Sequence, residues 1–211
     1  ALPCGSRRAA IRGVRDRSRA VPLYSLRMDI PAITQFVLDD LALVAASAPN
    51  ERLPKEEQIR CSIYAAIRPS FGVVCAERGY QSIDSRSRIE CDLWASSPGE
   101  SPVWIEFKRC WSGRGWINKP REQMASWAAD VDKLRGVSPE ANRCFMLLGM
   151  FDGDPQVGDS AVHGGVVRCI EDFHPHRLVH RDSRPMTWRA DDGLTHAGLW
   201  TWQWRSGEVI A

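Results

Sequence analysis

Apolar and polar residues alternate along two short runs near the middle of the chain, Arg88-Ile89-Glu90-Cys91-Asp92-Leu93-Trp94-Ala95 and Val103-Trp104-Ile105-Glu106-Phe107-Lys108-Arg109. A period of two is that of a strand with one face in a core. The first run predicts Ile89, Cys91, Leu93 and Ala95 on one face and Glu90, Asp92 and Trp94 on the other. The second sets Val103, Ile105 and Phe107 against Trp104, Glu106 and Lys108. Ser96 to Pro102, rich in Pro, Gly and Ser, reads as a hairpin loop between them. Centring the loop on Gly99 places Asp92 opposite Glu106, Trp94 opposite Trp104, and Glu90 opposite Lys108.

On either side the period changes to that of a helix. Pro54 to about Arg68 carries Ile59, Ile63, Ala66 and Ile67 on one stripe, with a proline suited to a first turn. At about 100° per residue Glu56 falls within that stripe and Glu57 points off it. Pro120 to about Arg135 repeats the pattern through Met124, Trp127, Val131 and Leu134, and an earlier helix follows Met28-Asp29-Ile30-Pro31 as far as about Ser47. Val73 to Tyr80 and the nearly continuous apolar run Arg143 to Phe151 read as strands, the second buried on both faces. Near the C-terminus Trp200, Trp202 and Trp204 alternate with Leu199, Thr201 and Gln203. The predicted fold class is therefore α/β, a mixed central sheet flanked by helices, with residues 152–211 as a strand-rich accessory region.

The opposed acids give the pattern its chemistry. Directly opposed residues on paired strands have Cβ atoms about 5 Å apart, where like charges repel, so Asp92 and Glu106 call for a cation between them. Mg²⁺ or Mn²⁺ suits a few carboxylate oxygens, with the backbone carbonyl of Phe107 as a third ligand. Such an ion activates water and stabilises charge on a phosphodiester. Lys108 then stands beside the attacking water or the phosphate, as charge stabiliser or proton-transfer partner. The competing structural role for Lys108 is a cross-strand ion pair with Glu90. Lysine is scarce here, four residues (55, 108, 119 and 133) against 24 arginines, which makes its use at position 108 a specific choice.

Asp92, Glu106 and Lys108 on successive strands resemble the PD-(D/E)XK, or restriction-endonuclease-like, nuclease superfamily. In that resemblance Asp92 stands for the aspartate, Glu106 for the (D/E) and Lys108 for the lysine, while Cys91 replaces the proline, which does no chemistry. The family's core order of helix, three strands, helix and strand fits residues 54–151. The resemblance implies a Mg²⁺-dependent nuclease, most plausibly an endonuclease acting on DNA, with Glu56 as a further acid facing the metal. It leaves two alternatives: a catalytically silent nuclease-fold binding or assembly module, or an unrelated α/β protein whose E-x-K is structural.

Charge separates the chain into two parts. Residues 1–27 hold seven arginines and one acid and read as a basic extension, disordered or foreign to the domain. Residues 28–211, expected as one domain, carry 21 basic and 25 acidic residues, net −4. The body is no general polyanion binder, so nucleic acid calls for a local patch. Arg109, Arg114, Lys119 and Arg121 flank the end of the motif strand, and Trp111 and Trp116 bracket the loop that follows as candidates for base contact. The other tryptophans, Trp127 included, read as core. Seven cysteines without a C-x-x-C pair fit free thiols in a reducing, cytoplasmic setting. His174, His176 and His180 read as surface histidines. No apolar run is expected to reach the roughly 20 residues that span a bilayer, and the oligomeric state is left open, a homodimer included.

Overall fold

The computed structural model describes residues 28–47, 54–79, 90–112, 119–156, 161–173, 178–187 and 193–210. The basic extension 1–27, Arg88, Ile89, Arg114, Trp116, His174 and His176 lie outside them. In chain order come α1 (Ile30–Ser47), α2 (Glu56–Ile67), a 3₁₀ turn (Arg68–Ser70), β1 (Val73–Gly79), β2 (Glu90–Ser96) and β3 (Val103–Trp111). They are followed by α3 (Pro120–Arg135), β4 (Asn142–Phe151), α4 (Ala161–Phe173), β5 (Leu178–Pro185) and β6 (His196–Trp204).

The strands form one six-stranded sheet in the order β1-β2-β3-β4-β6-β5. Every neighbouring pair is antiparallel except β3 and β4, which run parallel from Val103↔Asn142 to Trp111↔Met150. A parallel neighbour requires a crossover, and α3 supplies it. The fold is thus α/β, a mixed sheet flanked by helices, as the sequence pattern predicts. The hairpin register is also the expected one where the ladder forms, with Trp94 opposite Trp104 and Leu93 opposite Ile105.

Two hydrophobic layers hold the sheet between helices. On one face Ile33, Val37, Leu38 and Leu41 of α1 and Ile59, Ile63 and Ile67 of α2 pack with Leu93, Ala95, Ile105, Phe107 and Leu199. On the other, Trp127, Val131 and Leu134 of α3 and Val166 and Ile170 of α4 cover Trp104, Phe145, Leu147, Trp200 and Trp202. Trp127 and Phe173 meet edge to face at 5.6 Å, so Trp127 is the core residue its stripe predicts.

Three features differ from the sequence reading. Cys91 packs into the α3 layer while Leu93 and Ala95 face α1 and α2, so the alternation expected of β2 breaks at Asp92. Across the β1–β2 ladder the neighbouring pairs are Ala76↔Leu93 and Arg78↔Cys91, and Glu77 between them has φ of 53°, a left-handed twist that a side chain adopts only at some cost. The C-terminal segment is also more than a strand-rich extension. It contains α4, and β6 joins the central sheet beside β4 along nine residue pairs, Arg143↔Trp204 to Phe151↔His196; His180 lies in β5. Finally, α1 is apolar and long enough to cross a membrane, contrary to expectation, yet here it packs against α2, β5 and β6.

Candidate functional site

β3 carries Glu106, Lys108 and Arg109 into the middle of the molecule, and α3 returns across its exposed end. Helix α3 starts at Pro120, whose missing N–H costs nothing in a first turn, and ends with Lys133 and Arg135 in a last turn that favours cations. Helix α2 is tied to the same strand. Arg109 Nη1 donates to the Pro54 carbonyl at 2.6 Å, and Gln58 Oε1 accepts from Lys55 N–H at 2.7 Å. This fixes the start of α2, and with it Glu56, at the end of β3.

The result is a cleft of about 440 Å³ lined by Glu56, Lys108, Arg109, Trp111, Lys119 and residues of α3 including Gln123 and Trp127. Five of the residues singled out in the sequence therefore converge: Glu56, Lys108, Arg109, Trp111 and Lys119. Arg121 stands exposed on α3 outside the cleft lining. Within the cleft Arg109 lies over the Trp111 ring at 5.9 Å, and Lys119 pairs with Glu122 at 2.9 Å. Glu57 is exposed and takes no part in the lining.

Asp92 and Glu106 are not part of the cleft lining. Asp92 Oδ2 accepts the Phe107 N–H at 2.9 Å, so the carboxylate replaces a ladder contact just where the β2–β3 pairing ends at Leu93. Phe107, expected to offer its carbonyl to a metal, thus contributes its N–H to Asp92. The other Asp92 oxygen lies 3.7 Å from Arg60 Nη2 of α2, and Arg60 also binds Glu77 at 2.7 Å. Glu106 is 1% exposed, and Lys133 Nζ of α3 stands 3.8 Å from its Oε2.

The residue that organises the cluster was not among the sequence candidates. Asp130 of α3, 4% exposed, holds Lys108 at 2.9 Å with one oxygen and Lys133 at 2.6 Å with the other. Lys108 is thus paired with Asp130 and not with Glu90. Two of the four lysines meet on this one buried acid, which explains their placement in an arginine-rich chain. A guanidinium is a planar fork, whereas two compact ammonium groups fit side by side on one carboxylate.

Burial by itself lowers the affinity of both lysines for their protons. The bond to Asp130 and the charges around them outweigh it: Asp130, Asp92 and Glu56 for Lys108, and Glu106, Asp130 and Asp92 for Lys133. Both stay above the usual lysine value, so Lys108 acts at neutral pH as a fixed positive charge and donor, not as a base. Burial, with Glu106 and Asp92 nearby, pushes the Cys91 thiol up to about 12, leaving it an inert core group.

Hard oxygen donors are present, yet the arrangement is no ready metal cage. Among the described residues no three His, Cys, Asp or Glu side chains converge to hold an ion, and Arg60 and Lys133 already face Asp92 and Glu106. The chain matches no family model, and no curated protein or solved structure is significantly similar to it.

Proposed function

We propose that residues 54–151 form a restriction-endonuclease-like core and that the protein is a metal-dependent nuclease hydrolysing phosphodiester bonds in DNA. The observation that carries this reading is the bond from Phe107 N–H to Asp92. It ties the Asp92 carboxylate of β2 to the residue between Glu106 and Lys108 on β3. The ordered elements α2, β1, β2, β3, α3 and β4 support it, as does the cleft at the end of β3 with Lys108 and Glu56 in its wall.

In this reading Asp92 and Glu106 would hold Mg²⁺ or Mn²⁺, with Glu56 and the Phe107 carbonyl as further ligands, and the ion would supply an activated water and charge neutralisation. Lys108, kept protonated by Asp130, stabilises the negative charge that grows on the phosphoryl oxygens. Arg109, Lys119 and Trp111 offer phosphate and base contacts along the cleft. The six described cysteines are free thiols, in keeping with a cytoplasmic setting.

Incubation with supercoiled plasmid, linear duplex and single-stranded DNA, in Mg²⁺, Mn²⁺ or EDTA, tests the proposal. Metal-dependent cleavage lost in Asp92→Asn and Lys108→Ala is expected; cleavage that survives both substitutions rejects the assignment. A second reading is favoured by the internal pairing of the carboxylates with Arg60 and Lys133: a nuclease fold kept for binding or assembly. It forecasts DNA binding in EDTA with no cleavage in any metal.

A further inference from the structure

The charge and volume of the cleft at the end of β3 match a single nucleotide. Its lining sets three cations, Lys108, Arg109 and Lys119, against two acids, Glu56 and Glu122; three minus two leaves one positive charge, which answers one phosphodiester. Among the described residues Arg109 makes no ion pair. It donates to the Pro54 carbonyl at 2.6 Å and lies over the Trp111 ring at 5.9 Å, which leaves guanidinium donors for a phosphate. A space of about 440 Å³ stands toward the lower end of the roughly 300 to 1,000 Å³ of small-ligand sites. It has room for one nucleotide and not for a helix of two strands.

A duplex makes other demands. It presents about one negative charge per 1.7 Å of axis and calls for a broad basic surface, whereas residues 28–211 carry a net charge of −4. Its bases are stacked inside the helix, so their flat faces reach a ring in a concave wall only when a nucleotide is extruded. Trp111 is such a ring, half-buried at the end of β3 with the Arg109 guanidinium beside it. Indole and guanidinium planes suit an unpaired base, whose π face is open.

We propose that the cleft takes one unpaired nucleotide of a DNA strand, with its phosphate among Lys108, Arg109 and Lys119 and its base on the Trp111 ring, so that single-stranded DNA is preferred over a continuous duplex. This rests on the nuclease reading for the identity of the polymer. It needs no metal, since every group it uses belongs to the cleft wall and neither Asp92 nor Glu106 is among them.

Fluorescence-polarisation titration of the full chain with a labelled DNA single strand and with the duplex of the same sequence, both in EDTA, tests it. The single strand should bind the more tightly. Trp111→Ala should weaken single-strand binding about tenfold or more, as for the loss of one base stack, and Trp111→Phe, which keeps a ring, should restore most of it. Duplex affinity should change little in either variant. Lys119→Glu alters a side chain that is 65% exposed and lies outside the core; it should also weaken single-strand binding, and it carries the test if Trp111→Ala does not fold. Arg135→Gln, at the other end of α3 and paired with Asp132, should match wild type. Duplex binding as tight as that of the single strand, no binding of either, or wild-type affinity in folded Trp111→Ala or in Lys119→Glu overturns the proposal and leaves the nuclease reading to its own cleavage test. Single-strand binding as forecast, with no cleavage in any metal, rejects the nuclease reading and upholds the cleft as the strand site.

Discussion

Lys108 Nζ and Asp130 Oδ2 lie 2.9 Å apart, joining the strand that bears the motif to the helix that follows it. Asp130 also neutralises Lys133, so Asp130→Asn leaves two ammonium groups together with one fewer acid. Removing one partner of a buried ion pair costs about 3 kcal/mol or more, and the partial exposure of both lysines brings the expected loss nearer 2 kcal/mol. Urea denaturation of the wild type and Asp130→Asn measures it.

The same pairing predicts how stability changes with alkali. Both lysines are raised in the folded state, so their contribution is complete below the unfolded lysine value, about 10.4, and is lost as pH rises through the higher folded values. The buried thiols, also raised, add a loss that begins at lower pH near 8.5, but this is common to both proteins. The difference in melting temperature between wild type and Asp130→Asn should therefore stay constant to about pH 10 and shrink above it. A difference that is constant to pH 12 would show that the lysines are not coupled to Asp130.

Asp92→Asn should lower stability in metal-free buffer by about 1 kcal/mol, because the carboxylate accepts the Phe107 N–H and faces Arg60. Simple repulsion between Asp92 and Glu106 forecasts the opposite sign. Melting curves decide between them, and adding Mn²⁺ should stabilise the wild type but not this variant.

Trp127→Ala removes a fully buried ring that meets Phe173 edge to face and should cost about 3 to 5 kcal/mol. Because the ring also forms part of the cleft wall, DNA affinity should be compared at a temperature where the variant remains folded.

Gly149→Ala should destabilise by about 1 to 3 kcal/mol through overpacking. A Cβ at this position would come within 2.4 Å of the Phe151 ring and 3.1 Å of Trp200, both of them buried. Chemical denaturation gives the value.

Much of this architecture was legible because periodicity and packing agree. The α3 stripe predicted Pro120 to Arg135 without error, and the hairpin register followed from the loop centred on Gly99. Other parts were hidden for physical reasons. Asp130 occupies a position three residues beyond Trp127, beside the buried stripe, where a search for apolar residues passes over an acid; the scarcity of lysine was the available signal, since two of the four had to answer some buried charge. Cys91 lies on the other layer because the alternation of β2, which sequence spacing assumes to be continuous, breaks at Asp92. Helix α4 escaped notice because Gly164 and Gly165 sit within it, and paired glycines weaken a helical pattern.

The parallel pairing of β3 and β4 across α3 has a consequence for how the chain folds. Glu106, Lys108, Asp130 and Lys133 all belong to the one continuous segment Val103 to Phe151, in which two acids meet two lysines. This segment can close on itself with its buried charges already balanced, before the hairpin brings Asp92 or α2 brings Arg60. The amides of β3, α3 and β4 should then exchange with solvent only on global unfolding, while those of the β1 edge exchange through smaller, local openings.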